Sequence, residues 1–79
     1  MATSALKITN EWQKVSDGEN VVLQNINSDL IEVGTSKDDT PPDVGFILGI
    51  REFFSYSGGE KVFVKAKNKS YIVIDNIGV

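Results

Sequence analysis

Short runs of Val, Ile, Phe and Tyr recur along the chain, separated by clusters of Gly, Asn, Asp and Ser. No segment keeps the apolar period of about 3.6 residues that marks an amphipathic helix. Short runs of this composition between turn-forming residues are typical of β-strands. The pattern therefore predicts an all-β fold of about seven to eight short antiparallel strands.

The turn-forming residues place the strand boundaries. We predict strands at residues 5–9, 11–15, 20–25, 29–34, 45–50, 52–56, 60–67 and 70–76. Gly18 can supply a positive φ, and Gly58 with Gly59 matches a tight hairpin turn, so hairpin connections are expected to dominate. The connection 35–44 contains Pro41 and Pro42. Because proline cannot donate to a strand ladder, we expect this connection to cross between sheets.

These elements fit one small domain over residues 1–79: a small β-sandwich, a jelly-roll-like fold or a partly open barrel. A domain of 79 residues is marginally stable alone and commonly needs disulfides, metals or subunit contacts. The chain has no Cys and no His, which leaves association between copies. The same absence excludes Ser-His-Asp and Cys-His catalytic sites and thiolate metal centres.

The charge balance argues against two classes of partner. The chain has 8 basic and 11 acidic residues and a net charge of -3, whereas nucleic acid and anionic membranes attract proteins with a strong positive field. We therefore expect neither as a partner. No apolar run reaches membrane-spanning length, and residues 1–10 lack the pattern of a secretory signal.

Several predicted strands carry large apolar residues at consecutive positions, so that both strand faces would be apolar. One face of each sheet in a sandwich meets water, and covering an exposed apolar side chain stabilises by about 1.5 to 3 kcal/mol. We therefore expect a homo-oligomer, closed around a symmetry axis, for example a trimer. The residues expected at the oligomer interface are Phe46, Leu48, Phe53, Ile72 and Ile74.

A row of lysines follows one of the last strands. Lys61, Lys65, Lys67 and Lys69 place ammonium groups on one side of an extended segment. This stripe could dock a phosphate, a sugar acid or an acidic partner surface. The alternative is a solvated hairpin whose lysines protect a sheet edge from aggregation.

Two further sets of residues could carry binding chemistry. Trp12 or Tyr56, with Asp38 or Asp39, could form a shallow sugar site, because flat aromatic faces stack on sugar rings. Asp38, Asp39 and Asp43 could supply oxygen ligands to calcium, although carboxylates beside prolines are more often turn formers. We predict no catalytic residue, no metal and no cofactor, and hence no enzyme.

The order of several short motifs resembles that of small all-β virion structural proteins of tailed bacteriophages, of the capsid decoration or head and tail-fibre accessory type. The motifs that carry this resemblance are Trp12-Gln13-Lys14-Val15, Val21-Val22-Leu23-Gln24-Asn25, Ile31-Glu32-Val33, Pro41-Pro42, Gly45-Phe46-Ile47-Leu48 and Gly59-Glu60-Lys61-Val62-Phe63-Val64-Lys65-Ala66. The chain departs from that pattern at Arg51-Glu52, where a Pro-Gly turn would be expected.

The resemblance implies a non-enzymatic structural component. It would be assembled in the host cytoplasm, located in the virion, and attached to other virion proteins of a capsid, tail or fibre as a symmetric oligomer. The alternative is a carbohydrate-binding module of a host-recognition apparatus.

Overall fold

The computed structural model describes residues 3–26, 30–67 and 70–78. These residues form eight strands in two antiparallel four-stranded sheets, which confirms the all-β prediction. β3 begins and ends as predicted; the other strands shift by a residue or two, and the predicted start of the fourth, Asp29, lies outside the described residues. The strands are β1 (Thr3–Ile8), β2 (Gln13–Ser16), β3 (Asn20–Asn25), β4 (Ile31–Ser36), β5 (Phe46–Leu48), β6 (Phe53–Tyr56), β7 (Lys61–Ala66) and β8 (Ser70–Gly78).

The strand pairing identifies the architecture. The first sheet has the order β1-β8-β3-β6 and the second the order β2-β7-β4-β5. The pairs β1–β8, β2–β7, β3–β6 and β4–β5 form when a chain doubles back once into a long two-stranded ribbon. Rolling up this ribbon adds the pairs β3–β8 and β4–β7. The fold is therefore a β-sandwich with jelly-roll topology.

The connections between strands differ from the sequence-based expectation. Every connection between consecutive strands crosses from one sheet to the other except that between β4 and β5. The prediction that hairpins dominate is therefore wrong, and the turn at Gly58 and Gly59 joins two sheets. The prediction that the Pro41 and Pro42 connection crosses between sheets is also wrong, because this loop is the point where the ribbon doubles back.

The hydrophobic core lies between the sheets and is formed mainly by Val, Ile and Leu. Its buried residues are Ile8, Val21, Leu23, Ile31, Val33, Leu48, Val62, Val64, Ala66, Ile72 and Ile74. On β8, Ile72 and Ile74 point inward while the exposed Tyr71 lies on the alternate face. The apolar runs thus follow ordinary strand alternation, with apolar residues on the outer face as well.

This alternation corrects part of the predicted oligomer interface. Leu48, Ile72 and Ile74 are only 8%, 0% and 8% exposed in the single chain. The expectation that they are left outward for a second subunit is wrong, because they fill the space between the two sheets. Phe46 and Phe53, by contrast, are 68% and 67% exposed.

The β4–β5 loop folds back over the outer face of the second sheet. A Cβ added to Gly34 would lie 2.7 Å from Cγ of Pro42, so the loop packs directly on this glycine. Phe63 lies beside Gly34 in the register of β7 with β4 and is buried although it faces away from the core. The proline loop therefore covers the outer face of β4 at Gly34, next to the buried Phe63.

Candidate interaction surface

The exposed apolar side chains are concentrated on one side of the sandwich. Within the described residues, all the exposed large apolar residues except Tyr71 lie on or beside the segment that contains β5, β6 and the turn between them. We call the members in this segment the β5–β6 surface: Val44, Phe46, Ile47, Ile50 and Phe53. Ile26 and Leu30 adjoin it, because Asn25 bonds the β5–β6 turn and Ile31 pairs with Leu48 of β5. Such a concentration is typical of a binding surface.

Aromatic rings close the gap between the edges of the two sheets on this side. Phe46 of β5 and Phe54 of β6 have ring centroids 6.2 Å apart, and Phe54 stacks on Tyr56 at the same distance with an interplanar angle of 17°. The Tyr56 ring lies against Gly58, where any Cβ would overlap it. This aromatic row of Phe46, Phe54 and Tyr56 bridges β5 and β6 without a backbone hydrogen bond between their described residues.

The turn between β5 and β6 is fastened by two polar side chains of β3. Asn25, which is fully buried, donates from Nδ2 to the Leu48 carbonyl at 3.3 Å, and Gln24 donates from Nε2 to the Arg51 carbonyl at 3.0 Å. The backbone N–H of Arg51 donates to the Asn25 carbonyl at 2.6 Å. Sequence reasoning missed this role. The sequence did contain a signal for it. Val21 and Leu23 alternate as inward residues of β3, so Asn25 continues the inward face, and a buried amide requires a hydrogen-bond partner.

Arg51 occupies the turn position with a φ of 67°, the only described residue other than glycine with a positive φ. The Glu52 N–H donates to the Gly49 carbonyl at 3.2 Å, and the Glu52 side chain accepts from the Gly49 N–H. Arg51 is thus the third residue of a β-turn where glycine is preferred. The departure from the Pro-Gly pattern is therefore accommodated by backbone strain at Arg51, and the pairing registers of β5 and β6 contain no shift.

The opposite side of the sandwich, where β1 and β2 are the edges, is closed differently. The Ala66 N–H of β7 donates to the carbonyl of Thr9 at the end of β1, at 2.7 Å. The Nζ atom of Lys14 on β2 lies 2.5 Å from Oδ1 of Asp17 and 2.9 Å from Oδ1 of Asp39, which belongs to the proline loop. Lys61 extends this charge cluster to Asp17 at 3.8 Å.

The charge cluster shifts the pKa of Lys14 and that of Asp39. Hydrogen bonds from Lys14 to Asp17 and to Asp39 raise the pKa of Lys14 well above its ordinary value. The same ammonium group holds the pKa of Asp39 below its ordinary value. Both groups are therefore charged across the neutral range, and the pair tethers the proline loop to β2.

The predicted lysine stripe is partly neutralised within the chain. Lys61 is paired with Asp17, and Lys65 lies 3.8 Å from Glu32 and 4.7 Å above the Trp12 ring. Lys67 is exposed and has no ion pair among the described residues, while Lys69 lies outside them. Partner docking by this stripe stays a prediction, and it falls mainly on Lys67.

The structure separates the two aromatic residues of the predicted sugar site. Trp12 lies against the end of the proline loop that carries Asp38 and Asp39, since a Cβ on Gly45 would lie 3.1 Å from its ring. Tyr56 belongs to β6 of the first sheet, where its ring packs against the core. Trp12 precedes β2 of the second sheet, and Lys65 covers one face of its indole. Asp39 pairs with Lys14, and Asp38 accepts from the Thr40 N–H at 2.9 Å to shape the loop.

A shallow groove of about 330 Å³ lies over the outer face of the second sheet, lined on one side by Leu30 and Ile47 and on the other by Lys65 and Lys67.

Residues 3–26, 30–67 and 70–78 contain no cluster of three or more acidic, His or Cys side chains that could hold a metal ion. The same ranges include no helix of the length and hydropathy required to cross a membrane.

Comparison with protein-family models, with curated proteins and with solved structures gives no match for this chain.

Proposed function

We propose that this chain is a non-enzymatic structural subunit that associates with copies of itself through the β5–β6 surface. The observation that carries the proposal is the concentration of exposed apolar side chains on one side of the sandwich. That side also ends in two edge strands, β5 and β6, whose outer backbone groups have no strand partner among the described residues.

The energetics favour association at this surface. Fully burying a large apolar side chain stabilises by about 1.5 to 3 kcal/mol, and the most exposed members of the surface keep two thirds or more of their area in water. Covering several of them contributes on the order of several kcal/mol, which is comparable to the whole stability of a small domain. Association and folding stability are therefore linked.

We further propose that the oligomer is a virion component of a tailed bacteriophage, as a capsid decoration or fibre-attachment protein. Two observations support this assignment: the resemblance in motif order, and the jelly-roll topology, which recurs in viral capsid proteins. Because a fold hosts many functions, the assignment depends on finding the protein in particles. The carbohydrate-binding alternative, with Trp12 or Tyr56 beside Asp38 or Asp39, has less support. Lys65 covers one face of the Trp12 indole, Lys14 pairs with Asp39, and the Tyr56 ring packs against the core.

Sedimentation equilibrium of the whole chain tests self-association. We expect a defined oligomer at micromolar concentration, and we expect Phe53→Lys to weaken it by about tenfold or more, because the ammonium group cannot be buried unpaired. Phe53 faces outward, so the unfolding free energy of the subunit should change little. Ala5→Lys, on the exposed face of β1, is the matched control and should leave the oligomer intact.

A monomer at every concentration up to the millimolar range would overturn the proposal of self-association. For the virion assignment, mass spectrometry of purified phage particles should find the protein at a copy number that matches a capsid or tail symmetry. Its absence from particles in a lysate that contains it would contradict the virion role and leave self-association standing.

A further inference from the structure

The four edge strands of the sandwich differ in how well they are protected against pairing with another chain. Natural edges carry lysines, bulges or very short strands that discourage added strands. β1 carries the exposed Lys7, and β2 carries Lys14 and a register shift between Lys14 and Ser16. β5 has only three residues. β6 (Phe53–Tyr56) has no charge, no proline and no bulge, so it is the least protected edge.

We propose that β6 pairs in antiparallel orientation with β6 of a second copy, so that two first sheets join into one continuous sheet. This inference rests on the proposed self-association and names the contact through which it occurs. The outer N–H and C=O groups of β6 supply the hydrogen bonds, as in other cases of strand addition. A twofold axis makes this contact self-complementary, because the same strand lies on both sides of it.

Strand alternation restricts the register of this pairing. Residues directly opposite each other in an antiparallel pair share a face of the sheet. In β6, Phe54 and Tyr56 face the core, because they pair with the buried Leu23 and Val21 of β3. Phe53 and Ser55 alternate with them and therefore face outward. The twofold axis must therefore pass beside a single residue and not between two. An axis beside Phe54 or Ser55 pairs the largest part of this four-residue strand.

The register centred on Ser55 makes the better contacts. It places Phe54 opposite Tyr56 of the partner subunit, and symmetry repeats this pair, so the aromatic row continues from one subunit into the next. Aromatic cross-strand pairs are among the more favourable ones. On the outer face, two small Ser55 side chains meet without steric conflict. The register centred on Phe54 would bring together only one aromatic pair, Phe54 with the partner's Phe54.

A second copy fits this edge better than a foreign segment for two reasons. β6 contains no charged residue, so two copies approach without like-charge repulsion along the strand. Phe53 lies on β6 itself, and the ring centroid of Phe46 is 6.2 Å from that of Phe54 of β6, so both subunits bring these two exposed rings to the contact.

Cysteine cross-linking tests the register directly. The chain has no cysteine, so Ser55→Cys introduces one thiol, and any cross-link joins two copies. Opposed Cβ atoms in an antiparallel pair are about 4.5 to 5.5 Å apart, within reach of a short thiol cross-linker. We expect Ser55→Cys to form covalent dimers about tenfold faster than Ala5→Cys, an exposed position on the other edge strand of the same sheet. Circular dichroism confirms that both variants are folded.

A second variant separates this inference from the proposed function. Ser55→Lys places a charge on the outer face of β6 and is expected to raise the dissociation constant by about tenfold or more. If the wild-type chain associates but Ser55→Cys cross-links no faster than Ala5→Cys, the β6 pairing is wrong and self-association through the β5–β6 surface stands. If the wild-type chain is a monomer throughout, both are wrong. Cross-linking to another protein in preference to a second copy would also overturn the pairing.

Discussion

The two sides of this sandwich where the sheets end, the β1–β2 side and the β5–β6 side, carry opposite kinds of side chain. On the β1–β2 side, a backbone hydrogen bond from Ala66 to Thr9 joins β7 to the end of β1, and the charge cluster around Lys14 lies along the edge strand β2. On the β5–β6 side, the aromatic row fills the gap, and the strand β6 is uncharged. Charges on an edge strand resist the approach of another chain, whereas exposed rings gain from being covered. One domain thus combines a charged side with the apolar side through which we propose that copies associate.

The largest expected effect comes from removing the centre of the aromatic row. Phe54→Ala should lower the free energy of unfolding by about 2 to 3 kcal/mol, less than for a fully buried Phe because the ring is half-buried. Leu6→Ala on β1 is the matched change on the other side and should cost about 1 to 2 kcal/mol, since Leu6 is half-buried and a backbone bond also holds that side. Urea denaturation measures both. Equal losses would show that the aromatic row has no special role in closing its side.

The next effect concerns the amide that fastens the β5–β6 turn. Asn25→Ala should lower the free energy of unfolding by about 1 to 3 kcal/mol, because it leaves the Leu48 carbonyl without its donor in a buried position. Gln24→Ala removes an exposed bond to the same turn and should cost less than about 1 kcal/mol. A larger loss from Gln24→Ala, measured by thermal denaturation, would contradict the assignment of Asn25 as the main fastening.

Relief of the strained turn should have a smaller effect of opposite sign. Arg51→Gly allows the positive φ at no steric cost but increases the freedom of the unfolded chain. We expect a net gain of up to about 1 kcal/mol in the free energy of unfolding. A loss of stability would indicate that the Arg51 side chain contributes to the β5–β6 side. Ile50→Gly, whose φ is not positive, is the control and should destabilise.

The smallest effect is a loosening of the proline loop with pH on the charged side. The folded pKa of Asp39 is lowered, so its contribution is complete above the unfolded value near pH 4 and is lost as the pH falls through the folded pKa. The folded pKa of Lys14 is raised, so its contribution is lost only as the pH rises above its ordinary range. The protection of the Asp38 and Thr40 amides, measured as the exchange rate relative to the intrinsic rate at the same pH, should therefore fall in acid. Lys14→Gln should show this lower protection already at neutral pH.

Local sequence patterns predicted the strands well, and the reason is physical. Val21 and Leu23 alternate with less buried neighbours, and the glycines at positions 18 and 59 have the positive φ expected of turns. These features depend on a few adjacent residues. Such local chemistry was sufficient to place β3 and to identify the class of fold.

Which residues face inward was harder to predict. The run from Tyr71 to Ile74 is apolar throughout, so composition cannot distinguish the buried Ile72 and Ile74 from the exposed Tyr71. The answer depends on the pairing of β8 between β1 and β3. That pairing joins residues far apart in the chain, which a reading of adjacent residues does not determine.

For the candidate site as well, adjacent residues predicted some features, and others depended on long-range strand pairing. Phe46 and Phe53 were identified from their apolar neighbourhoods, and they are exposed. The pairing of Lys65 with Glu32 was not foreseen, because it follows from the register of β7 with β4. The absence of charge on β6 is visible in the sequence, but it becomes meaningful only once β6 is known to be an edge strand.

The position of β8 also limits how this domain can be made. Although it is synthesised after the other seven described strands, β8 lies in the middle of its sheet, with β1 on one side and β3 on the other. Until β8 emerges, β1 has no strand to pair with, and the core lacks Ile72 and Ile74. Folding during synthesis therefore cannot proceed strand by strand. It must wait for the whole domain to be translated, and such dependence on distant partners slows β-rich folding.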